Sequence, residues 1–317
     1  MSPDRTDNSE RLVWLPFPPA DVGGLPAGLR AELYTGEPEP PGIDEVVFYV
    51  PPYMAPEHTV AICGRMPSLQ VVQTLTAGVD NVWPHLPAGA TLCNARGVHD
   101  ASTAELVVGL IIASLRRIPD FVRAQATGEW RYGRYDALAD KTVLIVGYGS
   151  VGEAIEQRLG GFEVDVLRVA RSARSGEPRV HGFDDLPRLL PQADVVVLVT
   201  PLTEQTRGLV DAAFLARMKP GALIVNAARG PVVVTDDLLA AVRSSRVRAA
   251  LDVTDPEPLP ADHPLWVEPN VLISPHVGGN TSAFLPRAHR LVAEQLQRFA
   301  AGQPLLNVMS RPDSVSA

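Results

Sequence analysis

Cysteine is almost missing from this chain: 317 residues contain two, Cys63 and Cys93, in no paired spacing. That excludes both a disulfide framework and a cysteine metal site. Each thiol lies in an apolar run, where it serves as a small buried hydrophobe, so both are assigned to the core and the chain to a reducing cytoplasm. Lysine occurs at 141 and 219 alone among 28 basic residues, and no Lys/Arg run tracks a phosphate backbone. With a formal net charge of -8 and a pI near 5.4, nucleic acid is not expected as a partner. Long hydrophobic runs are lacking too. The longest, residues 106–115, is about half a bilayer span, and the charged start MSPDRTDNSERLVW has no apolar secretory core, so neither membrane insertion nor export is expected. No His, Cys, Asp or Glu cluster has metal-ligand spacing, so no metal is expected. Repeats and low-complexity stretches are absent, and only the last few residues suggest disorder.

What is present is a rhythm. The length fits two units of roughly 100 to 200 residues each. Between positions 142 and 276 the β-branched runs TVLIVG, VDVLRVA, DVVVLVT, ALIVNA, RAALDV and VLISPH alternate with helical or turn segments. That is the pattern of a parallel sheet buried on both faces. The segment SVGEAIEQRL follows the first strand as a helix, and Thr235 is expected to N-cap DDLLAAVRSS, whose two aspartates suit a first turn. The first 95 residues repeat the style with four strands, in RLVWLP, DEVVFYV, LQVVQTLT and ATLCNA, between proline-rich loops. The expected fold is α/β with two Rossmann-like domains. One is a doubly wound parallel-sheet cofactor domain over 99–282; the other is a smaller flavodoxin-like substrate domain formed discontinuously by 1–98 and 283–317. The helix in STAELVVGLIIASLRR is apolar almost all round, which suits a subunit interface or an intradomain core equally. A long helix follows in SAFLPRAHRLVAEQLQRFAAG, with Pro286 near its start or at a kink. In VPPYM the two prolines mark a loop at a strand end; Tyr53 and Met54 either shape a substrate pocket or belong to a stiff surface turn.

Gly147, Gly149 and Gly152 form a GxGxxG sequence that directly follows a strand and opens a helix, the context a dinucleotide site requires. The three glycines allow a tight turn, close approach of a pyrophosphate to bare backbone, and close helix-to-strand contact. The next strand ends without an acidic residue to hold a ribose 2′-hydroxyl. Arg171, Ser172 and Arg174 stand there instead, a basic, hydroxyl-bearing group suited to a 2′-phosphate, so NADP is preferred over NAD.

Three polar residues, Arg229, Glu257 and His276, each follow a short apolar run, and open α/β sheets bind ligands at the carboxyl ends of their strands. A guanidinium grips a carboxylate through two parallel hydrogen bonds, and an imidazole leaning on a carboxylate exchanges one proton near neutral pH. Together they make an acid/base site for a 2-keto acid, with Arg229 neutralising the substrate carboxylate, His276 donating to the carbonyl oxygen and Glu257 favouring the charged imidazole. Singly, each also suits a salt bridge, an exposed turn or a strand end. The histidines at 99, 181 and 263 are assigned to surface or packing.

Over nearly its whole length the chain resembles the D-isomer-specific 2-hydroxyacid dehydrogenases. The segments that carry the resemblance are LTAGVDNV, GYGSVG, TPLTEQTRGLV, MKPGALIVNAARG, LDVTDPEPLPADHPLW and SPHVGGNT. It implies that Arg229, Glu257 and His276 are catalytic. It also implies that the backbone at Thr76, Ala77, Gly78 and Val79 holds the substrate together with Arg229 and His276. Tyr148, Ser150, Val151, Thr200, Pro201, Thr206, Ala227, Asp252, His276 and Gly278 would join the glycines and arginines at the cofactor. The resemblance favours a reductase of the glyoxylate/hydroxypyruvate type acting on a small 2-keto or 2-hydroxy acid, assembled as a homodimer. Two alternatives stand beside it: the same chemistry on a bulkier, phenylpyruvate-like acid, and a nucleotide-sensing protein like the C-terminal binding corepressors, which share the fold. About 35 residues follow the His276 loop, so no appended regulatory module is expected.

Overall fold

Valine and isoleucine runs buried on both faces pair in parallel, and in a computed structural model, which describes residues 10–311, they form two all-parallel sheets. The terminal residues whose order the sequence questions lie outside the described residues. The chain divides into two compact units, Met1–Val98 with Ser282–Ala317, and His99–Thr281. No helix among the described residues is long and apolar enough to cross a membrane.

In the first unit the strands are β1 (Arg11–Leu15), β2 (Leu29–Leu33), β3 (Val46–Tyr49), β4 (Val71–Gln73) and β5 (Thr91–Cys93), in the order β2-β1-β3-β4-β5, a flavodoxin-like arrangement. Sequence reading finds four of these. The fifth, β2, is the sheet edge, where LRAEL carries Arg30 and Glu32 and is buried only at Leu29; an edge strand with polar residues has no continuous apolar run to betray it. One face of the sheet is covered by the last helix, α8 (Phe284–Ala300), whose Phe284, Ala288, Val292 and Leu296 recur every four residues and are all buried with Val13, Leu15 and Phe48. Pro286 is the third residue of α8, where a missing N–H has no helical partner to lose. The opposite face buries Trp14, Tyr34 and Tyr49 with both a short helix, α1 (His58–Ala61), and Cys63. Tyr53 packs its ring 4.2 Å from that of Phe284, while Met54 is exposed.

In the second unit the strands are β6 (Thr142–Val146), β7 (Asp165–Val169), β8 (Val195–Leu198), β9 (Ala222–Asn226), β10 (Val247–Leu251) and β11 (Val271–Ile273), ordered β11-β10-β9-β8-β6-β7. Beyond β7 a parallel bridge joins Val169 to His181, the remnant of one more edge strand. Alternate residues face opposite ways: Val143, Ile145, Val195 and Val197 pack on α2 (Asp100–Leu115) and α4 (Ser150–Leu159). Leu144, Val146, Val196 and Leu198 pack on the other side, with α5 (Leu186–Leu189), α6 (Ala212–Arg217) and α7 (Thr235–Arg243). α2 thus belongs to the core of its own unit. A further helix, α3 (Ile118–Ala126), lies between α2 and β6 in sequence. The order in which successive strands are laid down reverses at β6, which has β7 on one side and β8 on the other; this switch point is where such sheets keep a ligand crevice.

One capping expectation fails. Thr235 is the first residue of α7, preceded by Val234 at the cap position with no side-chain cap. Its hydroxyl donates instead to the carbonyl of Asp255 at 2.7 Å, a partner supplied by the loop after β10.

Candidate active site

The turn after β6 is built by what its glycines lack. At Gly147, with φ +109°, a Cβ would stand 2.6 Å from the Val199 backbone, and at Gly152 it would stand 2.9 Å from the Gly147 carbonyl oxygen. At Gly149 a Cβ would meet nothing within 4 Å. The first two are therefore needed by the fold, whereas the third leaves bare backbone facing open space. The first intrahelical bond of α4 runs from the Glu153 N–H to the Gly149 carbonyl, 2.9 Å, so the N–H groups of Ser150, Val151 and Gly152 stand at the helix mouth, where they favour an anion. Nearby, the buried hydroxyl of Thr200 has no hydrogen-bond partner among the described residues. The next residues fold into a turn in which the Thr206 hydroxyl donates to the Pro201 carbonyl at 2.6 Å and accepts from the Thr203 N–H at 2.8 Å. An open glycine cradle, a free helix mouth and an orphaned hydroxyl fit the pyrophosphate and adjoining parts of a dinucleotide.

Beyond β7, Arg171, Ser172 and Arg174 are all exposed. Arg174 is tied to the glycine turn: its guanidinium donates to the Tyr148 carbonyl at 2.6 Å and lies 5.6 Å from the centre of the Tyr148 ring. The Tyr148 hydroxyl donates to Glu156, which also takes a bidentate pair from Arg168. The Arg168 hydrogen bonds hold the Glu156 carboxyl below its usual range, against the opposing effect of burial. Burial, then the Glu156 hydrogen bond, pushes the Tyr148 phenol up. An open cleft of about 430 Å³ adjoins these groups, lined among others by Tyr148, Glu153, Gln157 and Arg174.

Arg229, Glu257 and His276 follow β9, β10 and β11, three neighbouring strands paired in register, Asn226 with Leu251 and Leu251 with Ile273. Asn226, the last residue of β9, folds the first loop: its amide donates to the Arg229 carbonyl at 3.1 Å and its side-chain oxygen accepts from the Ala228 N–H at 3.1 Å. Ala227 joins the same loop to β8, its N–H bonding the Leu198 carbonyl. The Arg229 guanidinium donates to the Ala228 carbonyl at 2.8 Å. Gly230 then passes against the loop carrying Glu257 so closely that a Cβ there would be 1.8 Å from the Thr254 carbonyl oxygen and 2.8 Å from the Asp255 nitrogen.

The His276 loop is organised by Asp252. This residue is 4% exposed, and one carboxylate oxygen accepts from the Ser274 hydroxyl at 2.6 Å and the Val277 N–H at 3.0 Å while the other accepts from the Gly278 N–H at 2.9 Å. Its carbonyl accepts the His276 N–H at 2.8 Å. These bonds hold His276 at φ +52°, a region that non-glycine residues seldom occupy. The imidazole Nδ1 then lies 2.5 Å from Glu257 Oε1. Burial alone would raise the Glu257 carboxyl, but the hydrogen bond and charge of His276, the Thr254 backbone and the Arg229 charge together hold it below its usual range. Glu257 is thus an anion at neutral pH, and a carboxylate this close to Nδ1 favours the tautomer with the proton on that nitrogen.

In the first unit, the turn at 76–79 has its carbonyls drawn inward. That of Thr76 accepts from the Thr74 hydroxyl at 2.8 Å and the Ala95 N–H at 2.9 Å, that of Ala77 from the Asn94 amide at 2.7 Å, and that of Gly78 from the Thr76 hydroxyl at 2.8 Å. The half-buried Thr76, Ala77 and Gly78 are followed by a buried Val79.

Sequence reasoning did not single out Gly230, Asn226, Ser274 or Asn94. The signal for Gly230 is a glycine placed directly after a charged residue at a strand end. Gly230→Ala is expected to push the Thr254–Glu257 backbone aside and lower kcat/KM about 10²-fold or more, the scale of a ~1 Å misplacement. Steady-state kinetics beside a thermal melt checks this; kinetics equal to wild type would refute the close approach.

The sequence model of the family described as D-isomer specific 2-hydroxyacid dehydrogenase, NAD binding domain, matches residues 108–278. A glyoxylate/hydroxypyruvate reductase B from Citrobacter koseri is 37% identical over 70% of this chain and 72% of its own. A D-isomer specific 2-hydroxyacid dehydrogenase from Xanthobacter autotrophicus Py2, solved with NADPH and MES, is 32% identical with a TM-score of 0.80, covering 95% of this chain and 98% of its own. An NADPH-dependent glyoxylate/hydroxypyruvate reductase from Sinorhizobium meliloti, solved with NADP and sulfate, is 29% identical with a TM-score of 0.80, covering 94% and 97%. With its nucleotide cradle and its loop ends after β9, β10 and β11, the chain belongs to the D-isomer specific 2-hydroxyacid dehydrogenase family and is an NAD(P)-dependent oxidoreductase.

Proposed function

We propose that the chain reduces a small 2-keto acid of the glyoxylate/hydroxypyruvate type to the D-2-hydroxy acid, with NADP(H) preferred to NAD(H). The observation that carries the chemistry is the 2.5 Å contact of His276 Nδ1 with Glu257 beside the charge of Arg229. The names of the Citrobacter koseri and Sinorhizobium meliloti relatives support the substrate class.

Bound dinucleotide supplies or accepts the hydride. Gly147, Gly149 and Gly152 keep the backbone low, and the N–H groups of Ser150 and Val151 neutralise the pyrophosphate. Tyr148, Thr200, Pro201, Thr206, Ala227, Asp252 and Gly278 are assigned to the same cradle. Arg229 clamps the substrate carboxylate through parallel N–H bonds; within the first unit, the N–H groups of the 76–79 turn are assigned to carboxylate binding. As negative charge grows on the carbonyl oxygen, His276 donates from Nε2; in the reverse direction Nε2 takes the hydroxyl proton. Glu257 fixes the ring orientation and stabilises its cation. For cofactor choice, Arg171, Ser172 and Arg174 present two guanidinium groups and a hydroxyl to a 2′-phosphate, and the relatives solved with NADPH and NADP agree with that preference.

A homodimer in the cytoplasm completes the reading. Residues 118–132 expose Val122 at 61%, Trp130 at 93% and Tyr132 at 92%, an apolar display that a second copy would cover. Buried free thiols at Cys63 and Cys93 suit a reducing compartment.

Three measurements test these assignments. His276→Asn is expected to lower kcat about 10²- to 10⁴-fold with the dissociation constant for NADPH within about twofold; unchanged turnover would remove His276 from the acid/base role. Arg171→Ala with Arg174→Ala is expected to lower kcat/KM for NADPH by about tenfold or more and to leave NADH within about twofold, whereas equal losses with both cofactors would contradict a phosphate-reading role. Light scattering is expected to give twice the 34.0 kDa chain mass, and a mass of one chain would eliminate the dimer.

A further inference from the structure

Beneath the 76–79 turn lies a buried polar network that catalysis by itself does not call for. Gln73 and Gln295 are fully buried and Asn94 is 5% exposed. The Gln295 amide donates to Gln73 Oε1 at 2.6 Å and to the Leu306 carbonyl at 3.0 Å, and its oxygen accepts the Leu306 N–H at 2.8 Å. Gln73 donates onward to the carbonyls of Thr74 at 2.8 Å and Asn94 at 3.2 Å. Asn94 exchanges backbone and side-chain bonds with Asn307: its N–H donates to the Asn307 carbonyl at 3.2 Å, and the Asn307 amide donates to the carbonyls of Asn94 at 3.3 Å and Arg96 at 3.0 Å. The Asn94 amide is thereby aimed at the Ala77 carbonyl, 2.7 Å away.

We infer that the C-terminal segment around Leu306 and Asn307 positions the 76–79 turn for the substrate carboxylate, acting through Gln295, Gln73 and Asn94. The inference rests on the reading of that turn as a carboxylate-binding element. Carbonyl oxygens facing an anion repel it, so a turn that is to present N–H groups must have its carbonyls occupied elsewhere, and Asn94 occupies the middle one. An isolated asparagine at a strand end is free to rotate. Here its backbone and its side-chain oxygen, which accepts the Arg96 N–H at 3.2 Å, are both engaged. A fully satisfied buried network fixes one geometry, because every alternative leaves a desolvated polar group unpaired. The far anchor is Asn307, held at φ +53°, a left-handed conformation to which asparagine is better suited than other side-chain-bearing residues. The segment also pairs with β5 through the Cys93–Val308 bridge and through the Met309 N–H donating to the Leu92 carbonyl at 2.8 Å, so residues more than two hundred positions apart share one strand end.

Steady-state kinetics of the full-length chain, with glyoxylate as the varied keto acid, tests this. Asn94→Ala removes the donor to Ala77. Asn307→Gly removes the remote amide while keeping the left-handed backbone accessible. Both are expected to raise KM for glyoxylate, about tenfold for Asn94→Ala and about threefold or more for Asn307→Gly, with kcat and the KM for NADPH within about twofold. Thr76→Val, which loosens the turn directly at the Gly78 carbonyl, should raise the same KM. If Thr76→Val does so while the two asparagine variants do not, positioning from the C-terminal segment is overturned and the turn assignment stands. If all three leave KM unchanged, the turn is not the carboxylate site and the inference falls with it. A parallel rise of both KM values with falling kcat would assign the network to general stability and equally overturn a positioning role.

Discussion

Asp252 carries a buried carboxylate whose two oxygens are consumed by three donors from one turn, Ser274, Val277 and Gly278, and the His276–Glu257 geometry depends on that arrangement. His276 occupies a left-handed backbone conformation at φ +52°, which is of order 1–3 kcal/mol unfavourable for a residue with a side chain. Such a conformation persists only if its surroundings leave no cheaper option. Three hydrogen bonds to the Asp252 side chain, with the His276 N–H on the Asp252 carbonyl, pin the turn at several points, so the strain cannot be relieved without breaking them. The arrangement is also intolerant of bulk, since a Cβ at Gly278 would sit 2.9 Å from an Asp252 oxygen. Asp252 thus acts on His276 through the backbone, while Glu257 acts on it through the ring.

The other half of the pair depends on a close approach between loops. Parallel strands lie about 4.8 Å apart, and β9, β10 and β11 end nearly flush, so three residues separated by 28 and 19 positions in sequence leave neighbouring points of one sheet edge. Flush ends alone do not set side-chain distances. The Glu257 loop is fixed by Gly230 pressing on Thr254 and by the Thr235 hydroxyl holding the Asp255 carbonyl at 2.7 Å. Both contacts come from the chain that follows Arg229, so the segment that delivers the guanidinium also locates the carboxylate.

These details explain what was legible beforehand. The α/β class and the six strands of the second unit follow from apolar runs that are buried on both faces, and burial on both faces leaves a continuous signal. The glycine turn is readable because its context, strand then helix, is local. The edge strand Leu29–Leu33 escapes for the opposite reason, since its solvated side breaks the pattern. Thr235 misleads because a threonine before two aspartates is locally a cap, whereas the carbonyl it meets belongs to residue 255 and arrives only by folding. Gly230 and Asn94 are invisible in the same way: one is defined by a backbone twenty-four positions later and the other by a segment 213 positions away. Propensity reports a residue's neighbours in sequence, and these residues act on neighbours in space.

The same distinction separates the two kinds of glycine in the nucleotide turn. Gly147 and Gly152 are demanded by this chain's own backbone, with would-be Cβ contacts of 2.6 and 2.9 Å, so their identity follows from folding alone. Gly149 is not; its Cβ would meet no atom within 4 Å, and its φ of -110° is open to any residue. A side chain there would obstruct nothing in the protein and would fill the space in front of the helix mouth. Glycine at that position keeps open the space in front of the three N–H groups, as close approach of a pyrophosphate requires. The Thr200 hydroxyl, without a partner among the described residues, is a second such feature, since burying a hydroxyl unpaired is unfavourable by about 1–3 kcal/mol. Both features suit the NAD(P) use of the family.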